Sequence, residues 1–140
     1  MMRFVFALAV LASPAVAQVK FTDMPQALGS HSYDGGWEHF VGGGVAVMDC
    51  NGDTRPDIFA AGGANPAAIW VNDGDFQFTP ASLPEMTETV GAYPLDIDGD
   101  GVLDLYVMRV GPDMALKGTG DCSFTDATAD WGIPQTDQWT

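Results

Sequence analysis

The chain has 140 residues, 46% of them hydrophobic and 11% aromatic, and its formal net charge is −14. This composition is too apolar for a disordered acidic segment, and the length suits one small domain with its own core. Because the acidic surface repels phosphate backbones and offers no basic patch, we expect no nucleic-acid partner.

The N-terminus has the pattern of a secretory signal peptide. Arg3 provides a basic start, Phe4–Leu11 is an apolar run, and Ala15–Ala17 is a small-x-small cleavage site. The apolar run is too short to cross a membrane unaided, and no later segment resembles a membrane span. We therefore predict a signal peptide at residues 1–17, a repeat region at residues 18–140, and a periplasmic or secreted location.

An internal repeat organises the remaining chain. Residues 49–57 align with residues 96–104, about 47 residues later. The similarity extends to Gly44 with Gly91, to residues 58–60 with 105–107, and, after a one-residue deletion, to Phe78-Thr79 with Phe124-Thr125. Phe21-Thr22-Asp23 resembles this last element and is predicted to be an outermost strand. A repeat of this length is typical of propeller blades.

Each unit is predicted to contain four short strands. In the first unit the strands are expected at residues 45–48, 58–61, 68–71 and 76–79. Asn72–Asp75 is predicted as a hairpin turn, because Asp-Gly favours tight turns that match strand twist. The second unit repeats this plan, with its turn at Gly118–Asp121, although Pro94 and Pro112 weaken two of its strands.

These elements predict an all-β fold. It would consist of about two four-stranded blades of a β-propeller, at residues 42–80 and 89–126, in an incomplete ring. The alternative is a small β-sandwich in which the similarity of the two units is accidental.

Two Asp-rich loops carry the predicted chemistry. Positions 1, 3, 5 and 9 hold only oxygen donors, namely Asp49, Asn51, Asp53 and Asp57 in the first loop and Asp96, Asp98, Asp100 and Asp104 in the second. Position 7, Arg55 or Val102, would contribute only its backbone carbonyl. Calcium takes about six to eight oxygen ligands, and without a cation such close carboxylates would repel one another. We therefore predict one Ca²⁺ in each loop.

Other interpretations of the loops fit less well. An EF-hand needs glutamate at position 12, where Ala60 or Val107 stands here, and the glycine that both loops share is at position 4 and not at the EF-hand's position 6. An Asx-rich turn that binds nothing remains an alternative. Magnesium is less favoured than calcium because it prefers to keep its waters.

The other reactive residues suggest structural roles. Cys50 and Cys122 either form one disulfide or stay free, and their spacing does not indicate zinc. His31 and His39 have serines nearby but no nucleophile elbow, so surface or packing roles are expected. Packing rather than sugar binding is also expected for Trp37, Trp70, Trp131 and Trp139.

The motif Asp-x-[Asp/Asn]-Gly-Asp-x-x-x-Asp, followed by an apolar strand, resembles the FG-GAP/VCBS repeat, the calcium-binding blade of integrin-α-like propellers. The resemblance spans about residues 20–140 and implies that the loop positions named above hold the metal. The wider pattern, with Gly42–Ala46 and the Phe-Thr-Asp segments, is similar to bacterial relatives of cartilage acidic protein. Since closed propellers usually have about four to eight blades, we expect further blades in a longer chain, or assembly of short chains by edge pairing.

The predicted function is a non-enzymatic, calcium-stabilised binding or scaffolding module outside the cytoplasm. Its ligand would be an unidentified protein or glycan, and neither catalytic residues nor a membrane span is predicted. The alternative is an N-terminal accessory part of a larger secreted enzyme, a hydrolase or lyase, whose catalytic residues lie outside this chain.

Overall fold

The structure, a computed structural model, describes residues 18–136. The predicted signal peptide and Trp139 lie outside this part of the chain. A short 3-10 helix, Trp37–His39, precedes the first strand. The strands are β1 (Val45–Met48), β2 (Asp57–Ala60), β3 (Ala68–Gly74), β4 (Gln77–Ala81), β5 (Thr89–Leu95), β6 (Asp104–Arg109), β7 (Met114–Gly118) and β8 (Phe124–Asp126).

The strands form two antiparallel four-stranded sheets, each a simple meander. The first has the order β1-β2-β3-β4, and the second has the order β5-β6-β7-β8. Within residues 18–136 these sheets do not close a ring, which is consistent with an incomplete β-propeller. The predicted fold class is therefore confirmed.

A single core fills the space between the two sheets. In the first sheet Phe59 pairs with both Ala46 and Ile69, so these side chains share one face. In the second sheet Leu105 pairs with Leu116. Phe59, Leu105 and Leu116 are each 0% exposed and belong to one apolar cluster. Burial of each such side chain stabilises the fold by about 1.5–3 kcal/mol.

The two sheets are in contact at two glycines that are equivalent in the repeat, Gly44 and Gly91. The N–H of Gly44, just before β1, donates to the carbonyl of Val90 in β5 at 2.9 Å. A Cβ on Gly44 would lie 2.8 Å from the Cα of Gly91. Because real Cβ atoms do not approach backbone that closely, only glycine permits this contact.

Two local predictions are wrong. The tight turn lies at Asp75 and Phe76, with φ values of 50° and 58°, and not at Asn72–Asp75, because β3 continues through Gly74. Asn72 is held in β3 by its N–H, which donates to Asp57 Oδ1 at 2.8 Å, and by its Nδ2, which donates to the Pro56 carbonyl at 3.0 Å. Phe21 lies outside any strand and is 90% exposed.

Pro94 is accommodated within β5, where it pairs with Leu105. The strand β5 lies at the edge of its sheet, so one side of its backbone needs no hydrogen-bonded neighbour. Across residues 18–136, no helix has the length and apolar character needed to span a membrane.

Candidate metal centre

The two Asp-rich loops occupy equivalent places in the two sheets. The first joins β1 to β2, and the second joins β5 to β6. Position 9 of each loop is also the first residue of the following strand, and both of these residues, Asp57 and Asp104, are 0% exposed. Burial of the last loop residue therefore anchors each loop to its sheet.

The same four hydrogen bonds from side chains to backbone hold both loops. In the first loop, Asp49 accepts the N–H of Thr54 at 2.8 Å, and Asn51 accepts that of Asp53 at 3.1 Å. Asp53 accepts the N–H of Arg55 at 2.8 Å, and Asp57 accepts that of Cys50 at 2.9 Å. In the second loop, Asp96 accepts the N–H of Gly101 at 3.1 Å, and Asp98 accepts that of Asp100 at 3.3 Å. Asp100 accepts the N–H of Val102 at 2.8 Å, and Asp104 accepts that of Ile97 at 2.9 Å. Positions 1, 3, 5 and 9 are therefore turned inward by the loop's own backbone.

Left-handed backbone at two positions makes this curvature possible. Position 4 is glycine in both loops, with φ of 74° at Gly52 and 76° at Gly99. Position 6 is also left-handed, with φ of 68° at Thr54 and 86° at Gly101. A β-branched residue tolerates this conformation poorly, so the first loop is the more strained of the two. The glycine at position 101 is the sequence signal for this second left-handed position.

The position-9 carboxylates also bind the third strand of each sheet. Asp57 Oδ1 accepts the N–H of Asn72 at 2.8 Å, and Asp104 Oδ1 accepts the N–H of Gly118 at 2.9 Å. Each carboxylate thus joins loop, second strand and third strand in a buried setting. The sequence pattern indicates position 9 as a metal ligand but does not reveal this structural role.

The carboxylates converge more closely in the second loop. Asp96, Asp98 and Asp104 each place one oxygen within 4.8 Å of the others. Across residues 18–136, no such set of three carboxylates forms in the first loop. There, position 3 is an amide, and the Nδ2 of Asn51 donates to Asp53 Oδ2 at 3.0 Å. The second loop is therefore the better formed of the two candidate sites.

Each loop has a basic side chain against its carboxylates. Lys117 Nζ donates to Asp98 Oδ2 and to Asp100 Oδ2, the latter at 2.6 Å. Arg55 pairs with Asp53 in the first loop. Hydrogen bonds to Asp100 and then Asp98 raise the pKa of Lys117 above its usual value. The hydrogen bond from Lys117, followed by that from Val102, lowers the pKa of Asp100. Lys117 and Asp100 are therefore both charged at neutral pH.

The donor set fits a hard divalent cation. The second loop offers carboxylate oxygens at positions 1, 3, 5 and 9, and both loops offer backbone carbonyls at position 7, Arg55 and Val102. Calcium and magnesium take such oxygen ligands, whereas softer metals prefer sulfur or imidazole. The loops hold neither sulfur nor imidazole at an inward-facing position, so the chemistry of the site favours calcium or magnesium.

Cys50 and Cys122 form a disulfide across the two sheets, with a Cα–Cα distance of 4.8 Å. Cys50 is position 2 of the first loop, and Cys122 lies in the turn before β8. Asp57 Oδ2 lies 3.0 Å from Cys50 Sγ and 3.4 Å from Cys122 Sγ. Because disulfide sulfurs carry no hydrogen, these are packing contacts and not hydrogen bonds. The same bridge means that Cys50, Cys122 and Asp57 are not a metal site in this state.

Both histidines lie away from the two loops and make structural contacts. His31 packs edge-on against Trp70, with ring centroids 5.4 Å apart, and its Nε2 lies 2.9 Å from the Ala61 carbonyl. His39 is 3% exposed, and its Nε2 lies 3.0 Å from Glu88 Oε2. These contacts join the segment before β1 to the two sheets.

The fold and the paired loops define an all-β protein built from repeated four-stranded sheets with Asp-rich loops. Residues 49–107 match the family model described as FG-GAP-like repeat. This segment contains both loops, and the match supports an FG-GAP repeat protein. No curated protein sequence matches the chain, and no solved structure does.

Proposed function

We propose that the chain is an exported calcium-binding β-propeller repeat module that acts in binding or scaffolding outside the cytoplasm and is not an enzyme. The observation that carries this proposal is the shared architecture of the two loops. Each directs oxygen donors at positions 1, 3, 5 and 9 inward through the same four hydrogen bonds. A loop that gathers several carboxylates gains stability when a divalent cation offsets their repulsion.

Calcium is preferred over magnesium in this proposal. Calcium accepts irregular coordination by about six to eight oxygens, whereas magnesium requires a near-octahedral shell and gives up its waters reluctantly. The second loop has three carboxylate oxygens within 4.8 Å and a fourth carboxylate, Asp100, at position 5. The first loop has one carboxylate fewer, so we expect it to bind calcium more weakly.

Export is supported by two independent features. The signal-peptide pattern of residues 1–17 predicts it from sequence, and the Cys50–Cys122 disulfide is a type of bond that persists in oxidising compartments. The ligand would be a protein or glycan, and further blades would complete the propeller. The finer similarity to bacterial relatives of cartilage acidic protein, based on Gly42–Ala46 and the Phe-Thr-Asp segments, is part of the proposal.

The first prediction is that calcium stabilises the protein. A ligand that binds only the native state adds about 2.7 kcal/mol per site when its free concentration is about one hundred times Kd. We therefore expect thermal unfolding at a clearly higher temperature in millimolar calcium than in EDTA. Magnesium at the same concentration should give a smaller shift.

The matched variants for this experiment are Asp100→Ala and Asp130→Ala. Both remove one exposed carboxylate, but only Asp100 is a loop position. We expect Asp100→Ala to remove more than half of the calcium-dependent rise in melting temperature, because it disables the stronger site, and Asp130→Ala to leave the rise unchanged. Identical melting of the wild-type protein in calcium and in EDTA would refute the proposed function.

A further inference from the structure

Lys117 is placed by the fold, and not by the loop motif, against the second candidate site. It lies in β7, where it pairs with Thr125 of β8, so its side chain projects from the third strand of the sheet. Its Nζ nevertheless contacts Asp98 and Asp100, which are positions 3 and 5 of the loop between β5 and β6. The side chain is only 37% exposed, because it extends over the loop.

The first sheet has no equivalent cation at this place. Val71 pairs with Thr79 as Lys117 pairs with Thr125, so Val71 is the repeat equivalent of Lys117. The basic group of the first loop instead comes from position 7 of the loop itself, where Arg55 pairs with Asp53 and its Nε donates to the Asn72 carbonyl at 2.6 Å. Lys117 is thus a difference between the two repeats that the shared motif does not require.

The position of Lys117 has two electrostatic consequences. Its ammonium offsets the mutual repulsion of neighbouring carboxylates, which stabilises the loop when no metal is bound. A divalent cation that uses the same oxygens must displace this ammonium and also experiences its repulsion. Lysine has a flexible four-carbon stem, so the side chain can swing into solvent when a metal enters.

We propose that Lys117 is a tethered counter-cation of the second loop that competes with divalent cations for Asp98 and Asp100. The competition rests on the proposed calcium binding, whereas the stabilisation of the metal-free loop does not. The two copies of one motif would then differ in calcium affinity for a reason that lies outside the motif. Lys117 is in this sense an affinity-determining residue and not a metal ligand.

The test compares Lys117→Met with Lys20→Met. Both variants remove one positive charge, but Lys20 is exposed and far along the chain from either loop. Calcium affinity is measured by calorimetric titration in an Asp53→Ala background, which disables the first loop. We expect Lys117→Met to bind calcium on the order of tenfold more tightly than Lys20→Met, and Lys117→Arg, which keeps the charge, to resemble Lys20→Met.

Melting in EDTA provides a second measurement that is independent of calcium. Lys117→Met should unfold at a lower temperature than Lys20→Met, because the loop carboxylates lose their counter-cation. Equal calcium affinities of these two variants would overturn the competition. If the wild-type protein binds no calcium, the proposed function fails. In that event, a lower melting temperature of Lys117→Met in EDTA would still support the counter-cation, and equal melting temperatures would overturn it.

Discussion

Replacement of both cysteines, Cys50→Ala with Cys122→Ala, is expected to lower the free energy of unfolding by about 4 kcal/mol. The disulfide joins residues separated by 72 positions, so it strongly restricts the unfolded chain. Both half-cystines are buried, at 4% and 1% exposed, and they connect the first loop to the second sheet. A typical domain is stable by only about 5–15 kcal/mol, so this loss would be a large fraction of the total.

The measurement is denaturant unfolding of the oxidised wild-type protein and the double alanine variant, both in EDTA. A second variant, Cys50→Ser with Cys122→Ser, places hydroxyl groups beside the buried Asp57 carboxylate and serves as the matched control. Both variants lack the cross-link, so the free energy of unfolding should fall in both by most of the roughly 4 kcal/mol expected from the entropy that the unfolded chain regains. A loss below about 1 kcal/mol in both would show that the cross-link does not stabilise this fold.

The second large effect is expected for Asp104→Ala, which should lower the free energy of unfolding by about 3–6 kcal/mol. The Asp104 carboxylate is 0% exposed and accepts two backbone N–H groups, from Ile97 and Gly118, each at 2.9 Å. Removal of the carboxylate leaves both donors without their acceptor, the Gly118 N–H in a buried setting and the Ile97 N–H in a partly buried one. Hydrogen bonds to charged groups contribute about 1.5–3 kcal/mol each. Asp57→Ala should behave similarly, because Asp57 accepts the N–H groups of Cys50 and Asn72.

Unfolding in EDTA isolates this structural role from metal binding. Asp130→Ala, which removes an exposed carboxylate, should change the free energy of unfolding by less than about 0.5 kcal/mol. The loss of unfolding free energy for Asp104→Asn should lie between those for Asp104→Ala and Asp130→Ala, because the amide retains one acceptor oxygen. A loss for Asp104→Ala as small as that for Asp130→Ala would contradict the anchoring role of position 9.

Much of the fold follows from short-range patterns in the sequence. The run Val45–Met48 predicts β1 because it is bounded by glycines on one side and the Asp loop on the other. The repeat of Asp49–Asp57 at Asp96–Asp104 places two hairpins in equivalent positions, and the structure forms a loop at each. These features depend on local propensity and on register, which neighbouring residues determine.

The features that sequence did not reveal depend on contacts between distant residues. Asn72 stays in β3 because Asp57 and Pro56 bind it, and this moves the turn to Asp75 and Phe76. The contact of Lys117 in β7 with Asp98 likewise joins residues on either side of β6, and no local motif encodes it. Pairing of the two cysteines also required their spatial positions, because an even count alone permits either state.

The most direct test of calcium binding by the two loops is the number of calcium ions that one chain binds. Metal-free protein is titrated with calcium in a calorimeter, and the bound calcium is counted by equilibrium dialysis. We predict two ions per chain for the wild-type protein and one ion for Asp53→Ala or for Asp100→Ala, each of which disables one loop. A wild-type chain that binds no calcium at millimolar concentration, or a stoichiometry that neither loop variant changes, would contradict it.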